Sequence, residues 1–280
     1  MKAIFDKVSN DCSEITTKSY STSFSLGIKI LDKSLHNPIY GIYGFVRFAD
    51  EIVDSFHNYN KKELFKKYKS DTYLGIKNKI SLNPIINSFQ EVVNKFKIDH
   101  SLIELFLDSM EMDLEEQHYD ENTYKKYILG SAEVVGLMCL TIFVKGDKNQ
   151  YKKLKPYAMK LGSAFQKINF LRDVNDDFNE LGRTYFPEVN ISNFNDTDKL
   201  KIENEIENEF NEGLKGIKML PNTSKGGVYL AYKYYYNLFK KIKRIPANKI
   251  LEKRTRISNF RKFTILVSSM IKYHSKQIWG

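Results

Sequence analysis

The sequence predicts an all-α fold, one helical domain spanning residues 1–280, on three observations. Long segments carry apolar residues at helical spacing, and alternating strand-like runs between paired turn signals are scarce. The six prolines sit at the edges of periodic segments, never deep within one. Taken in order, helices are expected near 6–18, 38–57, 84–96, 99–117, 121–145, 150–178, 198–219, 225–243 and 256–276. Pro38 and Pro84 mark starts, while Pro156, Pro221 and Pro246 punctuate later boundaries. The Asn-, Asp- and Pro-rich stretch 183–197, which holds Pro187, reads as an exposed loop. Residues 201–212, rich in Asn and Glu, read as a charged surface helix. No repeat and no linker divides the chain.

Composition narrows the function. A hydrophobic fraction of 42% with 19 Phe and 18 Tyr supports a sizeable core, excludes a disordered chain and suits a central apolar cavity. Cys12 and Cys139 are far apart and lack metal-ligand spacing, so neither a disulfide framework nor a zinc site is indicated, and a reducing cytoplasm is the expected compartment. No apolar run is expected to reach the roughly 18 to 20 residues of a membrane span, and the start, MKAIFDKVSNDCSE, has no signal-peptide core. The net charge of +10 admits nucleic acid, an anionic membrane surface or a polyanionic small substrate. Much of it lies in two runs, Lys61, Lys62, Lys66, Lys67, Lys69 and Lys240, Lys241, Lys243, Arg244, which also read as solvated helix faces.

Two segments carry chemistry. In YGFVRFADEIVDSF, residues 43–56, an advance of roughly 100° per residue puts Arg47, Asp50 and Asp54 within an arc of about 60°, opposite Phe45, Phe48, Ala49, Ile52 and Val53. Like charges at i and i+4 repel unless a cation lies between them. In LGSAFQKINFLRDVNDDFNELGRTYFP, residues 161–187, Gln166, Asn169, Asp173 and Asp177 form a second stripe, free of Lys and Glu. Amphipathic helices with Asp at i, i+4 are common, and Arg47 could simply pair with Asp50 on a surface. Two such stripes, however, supply the hard oxygen ligands that Mg²⁺ (or Mn²⁺) prefers alongside phosphate oxygens. Facing each other across a bundle, they would clamp a diphosphate and make it a leaving group.

On these residues the sequence resembles the squalene/phytoene synthase family of head-to-head prenyl transferases. RFADEIVD, residues 47–54, looks like the first aspartate motif of that family. NFLRDVNDD, residues 169–177, followed by Gly182, Arg183, Tyr185, Phe186 and Pro187, looks like the second. Lys18, Ser19, Tyr20 and Phe24 match an N-terminal phosphate-binding element, GSAEVVGLM at 130–138 a cavity helix, and Tyr235 and Arg254 positions in C-terminal helices. Leu129 departs from the pattern, since many members carry a second tyrosine there after the one matching Tyr127. Glu51 stands where some relatives have Asp.

The resemblance implies the all-α isoprenoid synthase bundle and a two-step reaction through a cyclopropyl diphosphate to a symmetrical C40 or C30 hydrocarbon. It implies metal binding by Asp50, Asp54, Asn169, Asp173 and Asp177. Diphosphate contacts would come from Lys18, Ser19, Arg47, Gln166, Arg172, Arg183, Tyr235 and Arg254. Phytoene synthesis from C20 substrate is the first expectation and C15 squalene or dehydrosqualene synthesis the alternative, with NADPH needed only for squalene. A non-catalytic assembly factor of the same fold is a further rival. Aromatic faces that stabilise a carbocation without attacking it are expected from Phe24, Phe45, Phe165 and Phe170. The remaining expectations are a monomer or weak dimer, no nucleic-acid partner, and peripheral contact between the basic C-terminal region and anionic membrane.

Overall fold

The computed structural model describes residues 1–115, 119–181, 185–187, 189, 194–252, 254–258, 262 and 264–269, without the side chains of 175–181. Among the described residues there is no strand. Twelve α-helices follow in order: α1 Lys2–Tyr20, α2 Thr22–Ile30, α3 His36–Asp54, α4 Lys61–Asn78, α5 Pro84–Phe96, α6 His100–Met112, α7 Glu121–Ile128, α8 Val134–Phe143, α9 Lys148–Leu181, α10 Asp196–Met219, α11 Asn222–Lys243 and α12 Ala247–Ile250.

Local chemistry sets many of the starts. Asp147 opens α9 by accepting from the Asn149 and Gln150 amides at 2.9 and 3.0 Å. Asn195 opens α10 on the Thr197 and Asp198 amides, and Asp120 opens α7 on that of Thr123. Each side-chain oxygen satisfies amides that a helix start leaves unpaired. Pro84 occupies the first turn of α5, where its missing N–H costs nothing.

Several expectations are corrected. Helices α2 and α4 were not anticipated as separate elements. Pro156 lies inside α9, eight residues beyond its start, rather than at an edge. Residues 254–258 are not helical, so the last expected helix does not begin at 256; helix appears among the described residues at 262 and 264–269. Helices α7 and α8 join through one π-helical turn, Leu129–Glu133, into a 23-residue helix, Glu121–Phe143. Contrary to the sequence reading, this helix is long and apolar enough to cross a membrane by length and composition. Here it packs within the bundle, where the buried Val134, Leu137, Met138, Leu140 and Ile142 join the core.

Two apolar cores flank a central space. Phe45, stacked on Phe89 at 3.8 Å, centres one core with α3, α5, α6 and α8. Phe210 and Phe239 centre the other with α9, α10 and α11. Glycines set the closest approaches between helices. A Cβ at Gly227 would lie 2.5 Å from the Gly27 carbonyl oxygen, and one at Gly162 2.8 Å from that of Ala132, so α2 meets α11, and the turn before α8 meets α9, backbone to backbone.

Candidate active site

Between the cores lies a cavity of about 760 Å³. Its stripe on α3 runs Ile39, Ile42, Tyr43, Val46, Arg47, Asp50, Asp54, and its stripe on α9 runs Leu154, Tyr157, Ala158, Leu161, Phe165, Gln166, Asn169, Asp173. Both follow the three- and four-residue steps of one helix face. In both helices the polar residues come last along the stripe, and both stripes line this one cavity, although among the described residues no three Asp, Glu, His or Cys side chains are grouped closely enough to hold a metal ion together. At 1.5 Å per residue, the stripe along α9 from Asn169 back to Leu154 is about 22 Å long, and its apolar part, from Phe165 to Leu154, about 17 Å.

The polar end is a charged lattice. Arg47 pairs with Glu51 and lies 3.6 Å from Asp50, with its guanidinium 4.3 Å above the Tyr20 ring. Arg172 Nε donates to Asp173 Oδ1 at 2.8 Å, and Arg254 Nε reaches the same oxygen at 2.7 Å. Asn169 donates to Gln166 and accepts at 3.4 Å from the Tyr235 hydroxyl. Tyr235 in turn stacks on Phe165 at 4.0 Å.

Among the described carboxyls, Asp50 is displaced furthest from its ordinary range. Its side chain is 35% exposed, and Asp50 lines the cavity. Burial first, and then the charge of Asp54, push its carboxyl up to about 7, with Asp113 adding to the same effect. A divalent cation would relieve that repulsion, so the donors present fit a hard metal ion. Asn169, Asp173 and Asp54 share the cavity with Asp50.

The other expected residues divide. Gln166, Arg172, Tyr235 and Arg254 line the cavity. Lys18 does not; its ammonium pairs with Glu14, and the neighbouring Ser19 is exposed outside the cavity. The N-terminal element contributes Tyr20, Ser21 and Phe24 instead, with the Ser21 hydroxyl accepting from the Phe24 amide to start α2. The side chain of Asp177, on α9, and all of Arg183 lie outside the described residues. Of the expected aromatics, Phe24, Phe165 and Phe170 line the cavity, whereas Phe45 is wholly buried in the neighbouring core.

One acidic cavity residue escaped the sequence reading. Asp113, just beyond the end of α6, accepts from the Tyr127 hydroxyl at 2.7 Å, and both are buried beside the first aspartate stripe. Asp113 belongs to no periodic stripe; its one signal was a carboxylate following an apolar helix. Leu129, at the tyrosine position of many members, packs against the core, and Tyr127 alone of the two lines the cavity.

Comparison with known proteins agrees with this arrangement. The chain is 26% identical over 202 residues to the 4,4'-diapophytoene synthase of Staphylococcus haemolyticus, covering 69% of this chain and 65% of that protein. It is 29% identical to the presqualene diphosphate synthase of Zymomonas mobilis, covering 65% and 62%. Each match thus spans less than two thirds of the relative. A crystal structure of a dehydrosqualene synthase superposes with a TM-score of 0.79 at 19% identity, over 96% of this chain and 98% of the other, a likeness of fold. The family model for squalene/phytoene synthase matches residues 17–261. With acidic stripes on α3 and α9 lining one largely apolar cavity, this chain belongs to the squalene/phytoene synthase family.

Proposed function

We propose that the protein condenses two geranylgeranyl diphosphates head to head to phytoene. The observation that carries the reading is the cavity itself: it is lined by apolar side chains along most of the α9 stripe and by carboxylates and arginines at the far end of that stripe. An extended C20 prenyl chain measures about 19 Å, from C–C bonds of about 1.5 Å projected along a zigzag. The α9 stripe from Asn169 back to Leu154, about 22 Å of which the last 17 Å are apolar, accommodates it, as it would the shorter C15 chain.

Mg²⁺, or Mn²⁺ in its place, held by Asp50, Asp54, Asn169, Asp173 and Asp177, would neutralise the diphosphate and assist its departure. Arg47, Arg172 and Arg254, now paired with carboxylates, exchange those partners for diphosphate oxygens, a planar fork on a polyanion. The rings of Phe24, Phe165 and Phe170 face the allylic cation, stabilising positive charge without offering a nucleophile. Apolar walls hold water away from it. Each ionisation releases one diphosphate, and each cation is quenched by loss of a proton, first at cyclopropane closure and then at the final double bond. No reductant is consumed.

A second reading, C15 substrate and a C30 product, is favoured by the S. haemolyticus relative named 4,4'-diapophytoene synthase; NADPH would enter only if squalene were formed. The test is incubation with Mg²⁺ and either geranylgeranyl or farnesyl diphosphate, with and without NADPH, and mass spectrometry of the hydrocarbons. A C40 product absent from Asp50→Ala supports phytoene synthesis. A C30 product alone moves the assignment to the second reading, and no product from either sinks the catalytic proposal.

A further inference from the structure

The two lysine-rich runs, alike in sequence, have opposite fates in the fold. On α4 three of the five lysines of the run are paired with carboxylates: Lys62 with Glu115, Lys67 with Asp71, and Lys69 with both Asp108 and Glu111. At the end of α11, among the described residues, only Lys243 finds a carboxylate, Glu207 at 2.7 Å. Lys240, Lys241 and Arg244 instead line a separate pocket of about 710 Å³, to which the returning segment adds Arg256. No carboxylate among the described residues lines this pocket or pairs with any of its four cations.

Cations at a helix C-terminus complement its dipole, which accounts for lysines on the last turn of α11. It does not account for Arg256, brought in by tertiary structure. The Lys241 ammonium donates to the Arg256 carbonyl at 2.7 Å and so ties the two walls together. Lys240 is held over the Tyr236 ring at 4.7 Å, and Ile257 gives the pocket an apolar side. Four like charges around one concavity repel each other unless an anion enters.

The pocket also has a defined position. Arg254 binds Asp173 at the polar end of the catalytic cavity, and Arg256 is two residues further on, so their backbones are within about 7 Å. The positive field is continuous between them: Lys262 is pushed below the ordinary lysine range by its burial, and then by Arg172 and Arg256.

We propose that this pocket is a phosphate-binding site, separate from the catalytic one, and that its phosphate is the headgroup of an anionic phospholipid. Two or three forked or ammonium donors suit phosphate oxygens, and the apolar wall suits the glycerol ester beneath them. Engagement would seat the mouth of the cavity against a lipid surface.

The test uses the full chain with vesicles of phosphatidylcholine, with and without phosphatidylglycerol, and separately with inorganic diphosphate. Arg244→Glu/Arg256→Glu is compared with Lys66→Glu/Lys77→Glu, which alters net charge equally on exposed α4. Loss of phosphatidylglycerol-dependent binding by about tenfold or more in the pocket variant, with little change in the α4 variant, supports the proposal. An equal fall in both variants, or no anionic-lipid dependence in the native chain, overturns it. Binding of diphosphate through the pocket without vesicle binding retains the phosphate site and overturns its lipid source. Arg256→Gln repeats the comparison without charge reversal, should the double variant fail to fold.

Discussion

Replacing Asp50 by Asn should stabilise the metal-free protein while removing its activity. A carboxyl raised from 3.8 to about 7 in the folded chain is a destabilising group above its unfolded pKa. The cost grows as pH rises from about 4, is complete above about 7, and vanishes in acid. Undiluted, the displacement corresponds to about 4 kcal/mol. Since 35% of the side chain meets water in the cavity, screening reduces this to roughly 2 kcal/mol. Arg47 keeps Glu51 as a partner, so the substitution leaves no cation stranded. Urea denaturation in chelator should give Asp50→Asn an advantage of about 2 kcal/mol at pH 8, falling below about 1 kcal/mol at pH 5. Excess Mg²⁺ should reverse the order, because only the native carboxylate gains by binding it. An Asn variant no more stable than the native chain at pH 8, or a difference indifferent to pH, would refute the reasoning.

Other substitutions test the frame. Lys167→Met should cost about 3 kcal/mol, because Glu209, 4% exposed, loses the ammonium now 2.9 Å away; adding Glu209→Met should recover most of it in the same denaturation assay. Gly227→Ala should lower stability by about 2 kcal/mol in thermal unfolding, its Cβ having no room beside the Gly27 carbonyl. Tyr157→Ala, at the apolar end of the α9 stripe, should raise turnover of the longer prenyl diphosphate relative to the shorter in direct competition read by mass spectrometry.

What could be read from the chain follows from what periodicity encodes. The stripes Arg47–Asp50–Asp54 and Gln166–Asn169–Asp173 are properties of single helices, and they appear in the structure as the sequence places them. Helix α4 was missed because its buried face, Phe65, Tyr68, Thr72, Gly75 and Ile76, is thin against the surrounding lysines. Pro156 was taken for a boundary because its local cost is visible in sequence and the packing that offsets it, 34 residues of α9 against α8, α10 and α11, is not. Lys18 lies near the right motif yet turns to Glu14 one turn back, a local pairing open to any lysine at i+4. Asp113 and Tyr127 meet across the gap between α6 and α7, and no single-helix pattern reports that.

Helix α3 stops at Asp54, on the acidic rim of the cavity. Its C-terminal pole, although the Glu51 carbonyl accepts from the Ser55 amide and the Val53 carbonyl from the Lys61 ammonium, adds the negative end of a helix to the carboxylates already there. On the proposed function, an anion arriving alone would meet carboxylates and arginines already paired with them, whereas a cation arriving alone would be attracted. On that same function, the direction of one helix would therefore set an order of arrival: a small cation first, or riding in with its anion, and the anion never ahead of it.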